Sequence, residues 1–208
     1  FEASSHKASQ INVGVLSSCA LLSGEYSGKV KCWGEGLHGQ MGNGTSNRKN
    51  FVPEFVKDIS NAKSIDSYAY TTCSVLVNKS IKCWGDGTYH QLGHGKSDNS
   101  STPVNVSNIT SASAVSLGMS HGCALLDNKT VQCWGNNSVY QFGNGTQNSS
   151  TIPVTVSNIT TATAISSGGL RTCAILDNKS IQCWGYGFMG DGRSLNTTPG
   201  TVSSISTA

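Results

Sequence analysis

The sequence predicts an all-β protein, a β-propeller of about four four-stranded blades. Two recurrences lead to this fold. The four tryptophans are spaced by 51, 50 and 50 residues, and the four prolines keep the same register. In addition, each unit of about 50 residues contains four short segments of β type. A small sheet of this kind has two apolar faces that only neighbouring sheets can cover, which favours blades packed side by side around an axis.

The third repeat shows the four β segments most plainly. They are, in order, 114–117, 123–126, 130–134 and 153–156. A polar turn separates the second from the third, and a Gly-rich loop separates the third from the fourth. The chain of 208 residues is therefore predicted to form one repeat domain, with approximate repeats over 1–60, 61–111, 112–161 and 162–208.

The eight cysteines fall into four local pairs, which are Cys19 with Cys32, Cys73 with Cys83, Cys123 with Cys133, and Cys173 with Cys183. In the third repeat, the turn Asp127-Asn128-Lys129 centres a hairpin, and counting outward from it places the two cysteines opposite each other. We therefore predict four cross-strand disulfides and an oxidising compartment. Reduced core thiols are the alternative. Zinc is disfavoured because the cysteine spacings are wider than those of common zinc motifs.

Two motifs then point to a known family. Trp84-Gly85 and Trp134-Gly135 each precede a Gly-rich loop that contains Gln-x-Gly, at Gln91-Leu92-Gly93 and Gln141-Phe142-Gly143. The string Gly118-Met119-Ser120-His121-Gly122-Cys123-Ala124-Leu125 leads into the second β segment of its repeat, which carries the first cysteine. These motifs resemble the regulator of chromosome condensation repeat, in the cysteine-bridged form of secreted bacterial proteins. A kelch-type propeller has a similar period and is the competing assignment.

The resemblance implies a ring that usually closes with seven blades. Since this chain supplies about four, we expect it to be a portion of a larger propeller or to pair its open strand edges with another chain. The fourth repeat departs from the pattern because its loop lacks the Gln-x-Gly string. The histidine of the family motif is present only in the third repeat, at His121.

Charge and hydropathy exclude several partner classes. The 14 Lys and Arg against 11 Asp and Glu give a net charge of +3, without a basic block, so no nucleic-acid partner is predicted. No apolar run approaches the roughly 18 residues that cross a bilayer, so no membrane insertion is predicted. Because the sequence starts at Phe1 rather than Met, we expect a processed product or a fragment. The predicted location is secreted, periplasmic or cell-surface.

Three motifs that could carry chemistry have a simpler explanation. Gly118-Met119-Ser120-His121-Gly122 matches the nucleophile elbow of hydrolases, but a β segment follows it where the elbow needs a helix. Two Gly-x-Gly strings lack the helix that a phosphate site needs. His90 and His94 have a metal-like spacing in a loop where their rings need not converge. We therefore predict no enzyme activity, no cofactor and no metal site.

Positions that vary between near-identical repeats are the candidates for recognition, because scaffold residues recur while contact residues are free to differ. Tyr, Met and Arg are also enriched in protein interfaces. The candidate binding residues are Tyr68, Tyr70, Met119, His121, Leu170 and Arg171 before the second strand, and Tyr89, Tyr140, Tyr186 and Phe188 in the loop after Trp. The alternative is that they are ordinary loop residues packed on one another.

These observations favour an extracellular or cell-surface binding or adhesion module that recognises a protein or a glycan through propeller loops. The resemblance includes a secreted propeller that inhibits β-lactamases, so a secreted enzyme inhibitor is the alternative within the binding class. From other classes, a hydrolase or lyase that uses the loop face and a structural spacer compete with it.

Overall fold

The computed structural model describes residues 6–47 and 49–205. Four four-stranded antiparallel sheets follow one another along this part of the chain, one for each sequence repeat. The described residues contain no α-helix, and their helical turn is the 3₁₀ segment Gly24–Tyr26. They also contain no helix long and apolar enough to cross a membrane. The predicted all-β fold with four four-stranded blades is confirmed.

Each blade is a simple up-and-down sheet whose strands lie in chain order. The strands of blade one are β1 Ala8–Val13, β2 Ser17–Leu22, β3 Val30–Gly34 and β4 Asn50–Phe55. Those of blade two are β5 Ala62–Tyr68, β6 Thr71–Leu76, β7 Ile81–Gly85 and β8 Ser100–Asn105. Those of blade three are β9 Ala112–Leu117, β10 His121–Leu126, β11 Val131–Gly135 and β12 Ser150–Thr155. Those of blade four are β13 Ala162–Gly168, β14 Arg171–Leu176, β15 Ile181–Tyr186 and β16 Leu195–Thr201.

The first strand of each blade is the innermost, because β1, β5, β9 and β13 contact one another in series. The two ends of the strands then define two faces. The upper face is the end of the blade array that carries the turns between the first and second strands and the loops after the third strands. The lower face carries the turns between second and third strands and the connections to the next blade. The predicted binding residues all belong to upper-face segments.

The predicted hairpin register is confirmed in every blade. Cys123 pairs with Cys133 across β10 and β11, and the cysteines of the other three blades pair in the same way. Their Cα atoms are 4.0 to 4.1 Å apart, as in the closer, non-hydrogen-bonded pairs of an antiparallel ladder. All four predicted disulfides are present, and the described residues contain no free cysteine.

Apolar cores lie between the blades. We call the side of a blade that packs against the following blade its trailing face, and the side that packs against the preceding blade its leading face. Each core combines the trailing face of one blade with the leading face of the next. Between blades two and three, Ile81, Leu92 and Val106 pack against Val115 and Trp134. Equivalent residues form the cores on either side. Burial of this apolar surface is the main force that holds neighbouring blades together.

The tryptophans join each blade to the loop of the preceding one. Trp134 is fully buried, and its Nε1 donates a hydrogen bond to the backbone carbonyl of Gln91 at 2.8 Å. Trp84 and Trp184 are buried in the same way on the loops of blades one and three. Their predicted burial is confirmed. Trp33 is only partly buried, since the leading face of blade one contacts no other blade within the described residues.

The two outer faces of the array expose counterparts of these core residues. Ile11, on the leading face of blade one, is 60% exposed, whereas its equivalent Ile65 is buried. Ile175, on the trailing face of blade four, is 40% exposed, whereas its equivalent Val75 is buried. The expectation that further blades or another chain pair with these edges stays a prediction.

Candidate functional site

The upper face contains a groove of about 480 Å³ near the axis of the blade array. Four of the predicted binding residues line it, and they come from three different blades: Tyr70, Tyr89, Met119 and Leu170. Met119 and Tyr89 are each 55% exposed, whereas Tyr70 and Leu170 are partly buried. The groove therefore presents accessible apolar and aromatic surface assembled from separate repeats.

Hydrogen bonds between turns hold this groove in shape. The backbone N–H of Met119 donates to the carbonyl of Gly169 in the next blade at 2.8 Å. The N–H of Val15 makes the equivalent bond to Ala69 at 3.1 Å. The ring of Tyr70 lies against His38 from the loop of blade one, with centroids 4.9 Å apart. Each wall of the groove is thus tied to a neighbouring blade.

A second cavity, of about 520 Å³, adjoins the groove and shares Leu170 with it. Three more predicted residues line this cavity: Tyr68, Arg171 and Tyr186. Arg171 and Tyr186 are exposed, and Tyr68 also packs partly against the core between blades two and three. The structure therefore brings seven of the ten predicted residues to two cavities that share the lining residue Leu170.

His121 is the one predicted binding residue that is fully buried, so its assignment to the contact surface is wrong. The side chain is fully buried, and its Nε2 pairs with the Thr172 hydroxyl at 2.9 Å across the boundary between blades three and four. The ring occupies the space where any side chain at position 118 would lie, so Gly118 is required beneath it. Burial lowers the pKa of His121 to about 4, which keeps the ring neutral near pH 7.

Tyr140 and Phe188 lie on upper-face loops but line neither cavity. Phe188 is 91% exposed and occupies the place in its loop that Gln40, Gln91 and Gln141 occupy in the other repeats. Tyr140 is partly buried. Both remain candidate binding residues on upper-face loops outside the two cavities.

Several groove residues were absent from the sequence-based prediction. Asp86 and Asn136 line the groove at the first position after the Trp-Gly pair, which Tyr186 occupies in the last repeat. Aligning the repeats could have identified this position as a candidate, because it holds a different residue in every repeat. Val15, Ser120 and Ser138 complete the lining together with Ala69.

A half-buried carboxylate beneath the upper face joins three innermost strands. Asp66 accepts a hydrogen bond from Asn12 Nδ2 at 2.7 Å on one side and from the backbone N–H of Leu117, also at 2.7 Å, on the other. Burial raises the pKa of this carboxyl, and the hydrogen bonds oppose the rise. Because Asp66 bonds to blade one and to blade three, it helps to hold these blades against blade two.

The arrangement around Ser120 does not resemble a nucleophile site. Ser120 lies in a β-turn between β9 and β10, and His121 Nε2 has Thr172 as its partner. His90 and His94 bond separately to Ser97 and Asp98. Over residues 6–47 and 49–205, no three His, Cys, Asp or Glu side chains are grouped as metal ligands.

Comparison with known proteins places these repeats in a family. The family model of the regulator of chromosome condensation (RCC1) repeat matches residues 83–125 and 130–175, and a second model of the same repeat matches 112–141. The human E3 ubiquitin-protein ligase HERC2 is 36% identical over 80 residues, which cover 36% of this chain and 2% of HERC2.

Solved structures agree on the fold. Human WBSCR16 superposes with a TM-score of 0.84 at 16% identity, over 95% of this chain and 52% of that one. Prp20p from Saccharomyces cerevisiae superposes with a TM-score of 0.82 at 15% identity, over 97% and 51%. The chain thus spans about half the length of these two proteins. The family-model matches show repeats of the regulator of chromosome condensation type over residues 83–175, and the four-bladed array has the fold of the solved propellers.

Proposed function

We propose that this chain is a protein-binding propeller module that recognises its partner through the groove of the upper face. The observation that carries the proposal is the convergence of Tyr70, Tyr89, Met119 and Leu170, which vary in sequence yet line one groove. Their side chains supply the aromatic and thioether surface that is enriched at the centres of protein interfaces.

The similar proteins add support of a general kind. The structure of Prp20p was described together with its binding to Gsp1p and histones, so a propeller of this fold serves as a protein-binding scaffold in yeast. The identity of 15% carries the fold alone. The partner of this chain is therefore argued from its own groove.

We propose a secreted, periplasmic or cell-surface location for this module. The four disulfides support it, because such bonds persist in oxidising compartments and are rare in reducing ones. Adhesion and enzyme inhibition are both forms of this function, and the class of the captured partner distinguishes them. A glycan partner is the remaining outcome.

We also propose that the module acts without catalysis. The support is positional: Ser120 follows a strand and precedes another strand, without the helix of a nucleophile elbow. His121, the base nearest to it in sequence, is enclosed between two blades and bonded to Thr172. A hydrolase would need both groups at an accessible site.

The test is partner capture from the envelope and medium of the producing cells, with three forms of the chain. The first is wild type. The second carries Tyr70→Ala, Tyr89→Ala and Met119→Ala on the upper face. The third is a matched control that carries Lys79→Ala, Lys129→Ala and Lys179→Ala on the lower face.

We expect the upper-face variant to lose the partner by about 100-fold in affinity, since interface aromatic residues commonly contribute about 2 kcal/mol or more when truncated. The lower-face variant should bind as wild type does. Circular dichroism establishes that all three are folded. Equal capture by the two variants would show that the groove is not the binding site, and a captured glycan without protein would change the partner class.

A further inference from the structure

The groove of the upper face contains one carboxylate, that of Asp86 in blade two. No Lys, Arg or His side chain among the described residues lines this groove, and no ion pair within residues 6–47 and 49–205 involves Asp86. Blades one and three both pack against blade two, so this lack of a cation does not come from an open edge of the array. The groove therefore carries a negative charge that the described part of the chain does not neutralise.

The local role of this position needs no charge and does not join blades. In blade three, the equivalent Asn136 accepts hydrogen bonds from the backbone N–H of Ser138 at 2.9 Å and from Gln141 Nε2 at 3.1 Å, both in its own loop. Asp86 caps its turn in the same way, since its Oδ1 accepts the N–H of Thr88 at 3.0 Å and also the Thr88 hydroxyl. Capping uses one oxygen of the carboxylate, and the other oxygen remains available to a ligand.

Hydrogen bonds to the neighbouring turn fix Asp86 beside the aromatic part of the groove. Its backbone N–H donates to the carbonyl of Tyr70 at 3.0 Å, and its own carbonyl accepts the Thr71 hydroxyl at 3.0 Å. Tyr89 follows three residues later and lines the same groove with an exposed side chain. A carboxylate and two tyrosine rings therefore lie on the blade-two side of the groove.

This combination of groups matches a cationic side chain. A carboxylate accepts a charge-assisted hydrogen bond from an ammonium or guanidinium group, and the face of a tyrosine ring attracts the same cation. Met119 and Leu170, from blades three and four, supply apolar surface for its aliphatic stem. We infer that Asp86 binds a Lys or Arg side chain of the partner protein, a proposal that rests on the function proposed above and names the partner's chemistry.

The probe is a library of random dodecapeptides displayed on phage. The library is first depleted on the immobilised upper-face variant, which carries Tyr70→Ala, Tyr89→Ala and Met119→Ala, and is then selected on the wild-type, disulfide-bonded chain. Depletion removes peptides that bind elsewhere, including those that bind the outer faces of blades one and four. We expect the selected peptides to share a Lys or Arg next to an apolar residue.

The contribution of the Asp86 charge is measured with one synthetic peptide by fluorescence anisotropy. Asp86→Asn should raise the dissociation constant about ten-fold, because it removes the charge and keeps the capping oxygen that Asn136 supplies in blade three. Asp58→Asn is the matched control and should bind as wild type does. Asp58 is exposed on the lower face, and the equivalent positions hold Asn108 and Asn158 in the same left-handed conformation.

The coupling between the two charges is the decisive measurement. Changing the basic residue of the peptide to Gln should weaken binding to wild type about 20-fold and binding to Asp86→Asn only about two-fold. The smaller loss is the contact of the cation with the tyrosine rings. High salt should narrow the difference between the two proteins, because it screens the charge pair.

Two results would overturn the inference: selected peptides that lack a basic residue, or an equal loss for wild type and Asp86→Asn when that residue becomes Gln. In either case the peptides still depend on the upper-face residues, so the groove function stands and only the role of Asp86 fails. If no peptide survives the depletion step, both proposals fail.

Discussion

The two faces of the blade array differ in how strictly they repeat. On the lower face, Lys79 pairs with Asp127 and Lys129 with Asp177, each across a blade boundary, at 2.6 and 3.9 Å. The turns between them share one design, in which an Asn side chain accepts the backbone N–H two residues later. On the upper face, the corresponding turns read Ala69-Tyr70, Met119-Ser120 and Gly169-Leu170.

The difference shows where the sequence of a repeat protein is constrained. Contacts that every blade must make with its neighbours lie in the cores, in the tryptophan bonds to the preceding loop and on the lower face, and they recur. Where an upper-face turn bonds the next blade, as at Val15 and Met119, it does so through its backbone N–H, so the side chains of these turns are free to diversify. His121 shows that a variable position can also serve packing.

The largest expected effect concerns the tie between an upper-face loop and the next blade. Trp134→Ala should lower the free energy of unfolding by about 3–5 kcal/mol, because it leaves a cavity and removes the bond to Gln91. Urea denaturation measures it. Trp33→Ala is the matched control, and it should cost clearly less, since Trp33 is only partly buried. Equal losses would contradict the interblade role.

The second effect is a pH dependence of stability caused by the buried His121. Its folded pKa of about 4 lies below the usual 6.5, so the unfolded chain binds a proton that the folded chain rejects. Stability should therefore be full above about pH 6.5 and fall by about 3 kcal/mol by pH 4. Urea denaturation at several pH values measures the loss.

His121→Phe provides the comparison, because it keeps a ring over Gly118 and cannot titrate. The raised pKa of Asp66 acts in the opposite direction, since it favours the folded state as the pH falls, and it is common to both proteins. The difference between the two pH profiles therefore isolates His121. Parallel profiles would show that its burial has no energetic consequence.

The third effect concerns the hairpins that run from one face to the other. Replacing both Cys123 and Cys133 by Ala should lower stability by about 2–3 kcal/mol through the entropy of the unfolded chain. Thermal denaturation measures it.

Under mild reductant, Cys173–Cys183 should be alkylated first, since Cys173 is partly exposed while the cysteines of the other three blades are buried. Mass spectrometry of the alkylated peptides measures the order. Alkylation of all four pairs at the same rate would contradict it.

The smallest effect is expected on the lower face. Lys79→Ala should cost less than about 1 kcal/mol, because its ion pair with Asp127 is exposed to solvent. Lys179→Ala is the matched control: it has the same turn and a similar positive φ, and no acidic partner in residues 6–47 and 49–205. The difference between the two variants should disappear in high salt. If Lys79→Ala lowered stability by much more than Lys179→Ala, the lower-face ion pairs would contribute substantially to the stability of the fold.

The sequence predicted the features that each repeat must satisfy by itself. The hairpin register followed from one turn, because alternation of side chains fixes which residues are opposed. Packing between different repeats was harder to predict from the sequence. Variation at position 121 suggested recognition, while the structure shows a ring that fills the space above Gly118 and reaches Thr172 of the next blade. Local spacing cannot distinguish the two, since the neighbour that encloses the ring is 51 residues away.

The tie between each tryptophan and the preceding loop has a consequence for how such chains lengthen and shorten over evolutionary time. Every boundary among the described blades places an apolar loop residue in one core with the tryptophan of the next blade, so a duplication or deletion of one whole period keeps this pairing at each boundary. If residues 62–111 were lost, Met41 would meet Trp134 in place of Leu92, and both are buried side chains in equivalent loops. A lineage can therefore change its number of blades by unequal crossing-over without evolving a new interface.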